Sequence, residues 1–194
     1  MISLPADRPV VVAVCGPNGA GKSTFYEAFL APSALRFVNA DDIARELSMD
    51  AYAAAKMATR IRDELVSRGE SFIFETVLSD PVGEKVSQMV EWQRRGYAVV
   101  LCFIGLADAG TSDTRVTMRV SQGGHDVPVE KLKGRFPRTL ENLKRAISAL
   151  DHVLVYDNSD LRSPYRLLAR FESGVAREME VSVPPWFKRL LSRK

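Results

Sequence analysis

The sequence of 194 residues has only two cysteines, no long apolar run and no long block of like charge. Cys15 and Cys102 cannot make a disulfide-dense scaffold. Both lie inside apolar runs, where a thiol behaves as a small hydrophobe, so a reducing cytoplasm is the expected setting. No segment approaches the roughly eighteen uninterrupted apolar residues of a membrane-spanning helix. Met1 to Val14 holds no charged stretch followed by a long apolar core, so neither export nor membrane insertion is expected. The formal net charge is +3, and composition therefore calls for neither a nucleic acid nor a membrane as partner. Repeats of fixed period and low-complexity segments are also missing, which removes solenoids and fibrous arrays.

What is present is an ordinary globular composition, 46% hydrophobic and 26% charged, at a length suited to one α/β domain. Short apolar runs at Val10–Cys15, Leu35–Asn39, Ser71–Thr76, Tyr97–Ile104 and His152–Tyr156 alternate with longer helix-periodic segments. Runs apolar on both faces and rich in Val, Ile and Phe predict mainly parallel strands covered by helices on each side. Ala54, Met57, Ala58, Ile61 and Leu65 form one helical stripe, closed by Arg68-Gly69, and Pro81–Arg95, ending at Gly96, forms another. A third stripe, Leu132, Phe136, Leu140, Leu143, Ile147 and Leu150, keeps its period through Pro137 and predicts one kinked helix. In the tail, Ser173-Gly174 predicts a hairpin, and Pro184-Pro185 precedes a basic turn at Trp186–Leu191.

The first apolar run leads directly into Gly16-Pro17-Asn18-Gly19-Ala20-Gly21-Lys22-Ser23-Thr24. That is the full Gly-x4-Gly-Lys-Ser/Thr pattern between a predicted strand and a predicted helix. Its glycines let successive N–H groups point inward, and the helix N-terminus adds its dipole, so the loop suits a triphosphate. Lys22 brings charge to the terminal phosphates, and the Ser23 hydroxyl suits the shell of a magnesium ion. ATP or GTP with Mg is therefore the expected cofactor set.

The same loop occurs in transporter motors, which also carry a Leu-Ser-Gly-Gly-Gln signature and an Asp-Glu pair; Val120–His125 matches the first only superficially and the second is missing. Instead, Asp41 and Asp42 follow the second strand at the sheet edge where a kinase needs a base, either of them also suited to capping the next helix. Glu75 and Thr76 end the third strand at the same edge and are candidates to hold a magnesium water or the acceptor. Arg115 and Arg119 stand four apart on one helix face, and Arg135, Arg138, Asn142 and Arg145 form a polar stripe along another; these arginines are candidates to neutralise the transferring phosphate, with Arg135 and Arg138 also candidates to bind the acceptor. His125, in a Gly-Gly-His-Asp turn, is a further candidate contact to phosphate or acceptor. A hydrolysing ATPase or switch and a kinase of nucleic-acid ends stay open as alternatives.

Together, the phosphate loop, Asn39-Ala40-Asp41-Asp42-Ile43, Phe74-Glu75-Thr76-Val77-Leu78-Ser79, Arg115-Val116 with Gly123–Pro128, and Asp157-Asn158-Ser159 resemble the zeta-toxin-like kinases. The resemblance implies a three-layer P-loop NTPase fold with a five-stranded parallel sheet in the order 2-3-1-4-5. It implies a kinase domain over 1–164, with a lid around 112–138, and a C-terminal extension over 165–194. It also implies phosphate transfer to a small-molecule hydroxyl, a UDP-sugar in characterised toxins, with Asp41 as base by position and an antitoxin protein as candidate partner.

Overall fold

The computed structural model describes residue 5, residues 7–121 and residues 129–192. His125 and the Gly123–Pro128 part of the expected lid lie outside the described residues, as does the side chain of Arg119. Strand β1 (Val10–Cys15) is buried along its whole length and feeds through the glycine loop into α1 (Lys22–Phe25), which runs on into a π-helical turn, Tyr26–Leu30. Then follow β2 (Arg36–Val38), α2 (Ala40–Glu46), α3 (Ala51–Ser67), β3 (Phe72–Thr76), α4 (Glu84–Arg94), β4 (Ala98–Gly105), α5 (Ala109–Ser121), α6 (Val129–Ala149) and β5 (His152–Asp157). The chain closes with β6 (Arg166–Glu172), β7 (Val175–Met179) and α7 (Pro185–Ser192).

Strands β2-β3-β1-β4-β5 are mutually parallel and in the expected order, but the sheet has seven strands, not five. The tail hairpin does form, and it joins the same sheet, with β6 pairing antiparallel to β5 and β7 to β6. The backbone N–H and C=O row along β5 is thereby satisfied by β6 instead of standing open. The expected turn at Trp186–Leu191 is a helix whose Trp186, Phe187 and Leu190 are buried. Helix α6 runs unbroken through Pro137.

The alternation of side chains divides the core. Val11, Ala13, Phe72, Phe74, Leu101 and Phe103 face α3, α4, α6 and α7. Val10, Val12, Val14, Ile73, Val100 and Cys102 face Phe25 and Leu30 of the segment after the loop. This three-layer burial holds the fold together. The exposed pairs Arg68–Glu64 at 2.6 Å and Arg177–Glu172 at 3.0 Å each contribute at most about 1 kcal/mol. One charge is buried within the first face: the Arg62 guanidinium lies 5.1 Å over the Phe74 ring, and burial lowers its pKa.

Burial pushes the Cys102 thiol up to about 12, and the Cys15 thiol and Tyr156 phenol are raised as well, chiefly by the same desolvation. The folded state keeps these protons while the unfolded chain releases its thiol protons near the ordinary value of 9.0. Their contribution to stability is thus complete below pH 9 and is lost as pH rises above it. In urea titrations, unfolding free energy is expected to fall by about 1.4 kcal/mol per pH unit for each buried thiol between pH 9 and 12, the phenol adding to the fall only above its ordinary value of 10.0. A stability that stays flat to pH 11 would contradict the burial of both thiols.

Candidate active site

Where β1 ends, Gly16 has φ 147°, and a Cβ there would run into the Ile104 carbonyl oxygen of β4, so only glycine lets the chain turn this close to the sheet. Gly21, at φ 85°, caps α1 in the left-handed region and leaves that helix without a side-chain cap. The N–H groups of the first turn, Lys22, Ser23 and Thr24, have no intrahelical carbonyl to reach and remain available as donors.

Lys22 is 7% exposed, and its Nζ donates to the Pro17 carbonyl at 3.1 Å and lies 3.6 Å from Glu75 Oε1. Ser23 Oγ donates to Glu75 Oε2 at 2.9 Å. The pairing of Val14 with Glu75 in the β1–β3 ladder puts that carboxylate beside the loop. Asn39 completes the cluster: buried at the start of α2, it donates through Nδ2 to Glu75 Oε2 at 3.4 Å and accepts the Asp41 N–H on Oδ1 at 2.9 Å. The structure thus brings Lys22, Ser23 and Glu75 into contact and ties the backbone of Asp41 to them through Asn39. The Asp41 carboxylate is exposed and makes no hydrogen bond or ion pair among the described residues.

The helix cap expected of an aspartate belongs to Asn39, whose short amide side chain reaches the Asp41 N–H. Asp41 and Asp42 both sit in the first turn, where negative charge suits the helix dipole, and Asp42 pairs with Arg45 at 2.7 Å in solvent. Thr76 Oγ1 accepts the Leu78 N–H at 3.4 Å. Helix α6 pins the following segment: Thr139 Oγ1 donates to the Val77 carbonyl at 3.2 Å, and buried Asn142 donates to the carbonyls of Leu78 and Asp80 at 2.9 and 2.8 Å. Asn142 therefore faces inward, and Arg145 donates to its Oδ1 at 3.1 Å. Arg135 is half-buried and Arg138 exposed, and neither guanidinium makes a hydrogen bond or ion pair among the described residues.

Helix α5 packs against the loop. Ser112 Oγ donates to the Asn18 carbonyl at 2.7 Å, and a Cβ on Gly19 would lie 3.0 Å from Arg115 Cβ. Arg115 Nη2 donates to the Ser159 carbonyl at 3.1 Å. Thr24 and Arg119 belong to α1 and α5, respectively. Ser112 and Tyr165 touch the loop or its neighbours without having been singled out from sequence, and Asn39 and Asn158 stood there only within segments that carry the family resemblance, with no role of their own. The only local signal was an asparagine ending an apolar strand, at Asn39 and just past one at Asn158.

The family model described as Zeta toxin matches residues 38–166, more than half of the chain. The chain belongs to the zeta toxin family. That match begins beyond the phosphate loop, so motif and family are independent of one another. Among solved structures, the AvrRxo1-ORF1:-ORF2 complex with ATP superposes at a TM-score of 0.64 and 15% identity, over 95% of this chain. The family member spans only 64% of that longer chain. The PezAT chromosomal toxin-antitoxin system of Streptococcus pneumoniae superposes at 0.60 with 16% identity, over 96% of this chain and 83% of the other. At such identities the likeness is one of fold. No curated protein matches the sequence.

Proposed function

We propose that this zeta toxin family member transfers the γ-phosphate of ATP or GTP, bound with Mg, to a hydroxyl of a small-molecule acceptor, with a nucleotide-activated sugar as the class that the family resemblance favours. The observation that carries the reading is the contact set of Lys22, Ser23 and Glu75 at the mouth of an uncapped helix. A buried ammonium beside open N–H donors suits a polyphosphate. The ATP in the AvrRxo1 complex supports the donor.

The residues fit a magnesium ion: the Ser23 hydroxyl and the Glu75 carboxylate are hard oxygen donors already 2.9 Å apart. Bound there, the ion would neutralise phosphate charge. Gly16 to Thr24 would hold the phosphates, and Lys22 would bind the terminal ones. The free carboxylate of Asp41 would orient the acceptor hydroxyl and take its proton. Thr76, Arg135, Arg138 and His125 are proposed acceptor contacts, and Arg115 and Arg119 lid residues facing the transferring group. Both superposed structures include an antitoxin system or a second ORF product, which supports an antitoxin partner for this chain as part of the proposal.

The test is to incubate the protein and Mg with γ-labelled ATP and a metabolite extract. The expected result is label in an organic phosphate that forms only when extract is present. Inorganic phosphate released at one rate with or without extract would overturn the kinase reading in favour of a hydrolase.

Arg119 stands one helical turn beyond Arg115 in α5. Arg119→Ala is expected to slow transfer by about tenfold or more with ATP affinity changed less than about threefold, because such an arginine matters most as charge spreads in the transition state. Steady-state kinetics with calorimetric ATP titration check this. Lost affinity at an unchanged maximal rate would assign Arg119 to ground-state binding.

A further inference from the structure

The segment joining β5 to β6 reaches back across the molecule to the phosphate loop. Asn158 is buried, and its backbone N–H donates to the Gly105 carbonyl at 3.0 Å, which fixes it beside the end of β4. From there Nδ2 donates to the Ala20 carbonyl at 2.8 Å. Asn158 Oδ1 accepts the Tyr165 N–H at 3.4 Å, and the Tyr165 hydroxyl donates to the Gly21 carbonyl at 2.9 Å. That carbonyl also accepts the Phe25 N–H at 2.9 Å, so the tyrosine supplies its second donor. The Tyr165 ring is seated against Phe25 and Phe29, with centroids at 5.4 and 5.6 Å, and its backbone takes φ 54°, uncommon for an aromatic residue. A Cβ on Gly21 would lie 2.7 Å from the Tyr165 hydroxyl and 2.9 Å from Asn158 Nδ2, so the approach requires glycine. A phenol is protonated at neutral pH whatever its surroundings, so the hydroxyl is a donor here, and desolvation raises its pKa further.

A trans peptide is planar, and its C=O and N–H point to opposite sides. A donor that holds the Ala20 carbonyl therefore also aims the Gly21 N–H the other way, and one that holds the Gly21 carbonyl aims the N–H of Lys22. Two of the loop's donors are set by contacts made outside the loop.

We propose that Asn158 and Tyr165 are positioning residues of the phosphate site, presetting the 20–21 and 21–22 peptide planes so that the N–H groups of Gly21 and Lys22 face a bound polyphosphate. The proposal rests on the reading of Gly16–Thr24 as a triphosphate site. Its support comes from the C-terminal extension as well. Trp186 Nε1 donates to Asp157 Oδ1 at 3.0 Å, both groups being buried, and the Trp186 ring fills the space where a Cβ on Gly105 would stand. The residue before Asn158 is thus held by α7.

Tyr165→Phe keeps the ring and deletes only the hydroxyl. Asn158→Asp keeps shape and turns the donor toward Ala20 into an acceptor. Both variants and Lys22→Ala are titrated calorimetrically with Mg-ATP and with Mg-tripolyphosphate, beside thermal unfolding and steady-state kinetics. In Tyr165→Phe the Kd for both ligands is expected to rise about fivefold, the scale of one lost hydrogen bond, and KM for ATP to rise with it while kcat changes less than about twofold. Asn158→Asp is expected to lose more; if it does not fold, Tyr165→Phe carries the test. Weaker ATP with unchanged tripolyphosphate would make Tyr165 a nucleoside contact and overturn the proposal, as would unchanged affinity for both in a stable variant. Lys22→Ala separates the two levels. Tripolyphosphate affinity unchanged by Lys22→Ala removes the phosphate site itself, whereas loss in Lys22→Ala alone removes only the positioning role.

Discussion

Asp41→Asn is expected to lower acceptor phosphorylation by a factor of about a hundred or more while Mg-ATP affinity stays within about threefold of the wild type. Asparagine keeps the size and most of the hydrogen bonding of the carboxylate but cannot take a proton. The Asp41 N–H on Asn39 Oδ1 survives the change, so the first turn of α2 should keep its geometry. Asp42→Asn is the comparison. Its carboxylate belongs to an exposed pair with Arg45, three residues on, and losing it is expected to change stability by about 0.5 kcal/mol or less and transfer hardly at all. Calorimetric ATP titration and a product assay on both variants decide. A dead Asp42→Asn beside an active Asp41→Asn exchanges their roles, and full transfer in both removes the base from either.

Lys22→Ala is expected to abolish measurable turnover, a loss of about two orders of magnitude or more, with ATP binding sharply weakened. The structure buries this side chain between Pro17 and Glu75. Its removal leaves the largely buried Glu75 carboxylate with Ser23 and Asn39 as its remaining donors. A drop in melting temperature should therefore accompany the loss of activity without unfolding the chain at 25 °C, because an uncompensated buried charge is destabilising. The double variant Lys22→Ala with Glu75→Gln separates the two effects. Melting temperature should recover part of the drop, since the orphaned charge is gone, while turnover should stay lost. Wild-type turnover in folded Lys22→Ala would refute the phosphate-loop assignment.

The parallel part of the sheet was legible because its inner strands are covered on both faces and must be apolar throughout, as Val10–Cys15 and Ala98–Gly105 are. The loop was legible because its glycines are demanded by local backbone geometry. The destination of the hairpin was not. Strand β7 is exposed at all five residues, and a sequence with that polarity does not declare which strand its partner will join. The roles of Asn158 and Tyr165 escaped for another reason: they act on the backbone carbonyls of Ala20 and Gly21, far along the chain, and no side-chain spacing encodes such a partner. The same is true of Asn142, which lies in a basic-looking stripe but binds Leu78 and Asp80.

The family-matched segment ends at Arg166, the first residue of β6, so the boundary of recognisable ancestry falls inside a ladder instead of between folded layers. A gene trimmed to that boundary would encode a protein whose β5 is a bare margin along His152 to Tyr156, with Phe103 stripped of its Trp186 neighbour. Such a margin recruits other chains through its unpaired backbone, and the product would be sticky whatever the state of its phosphate loop.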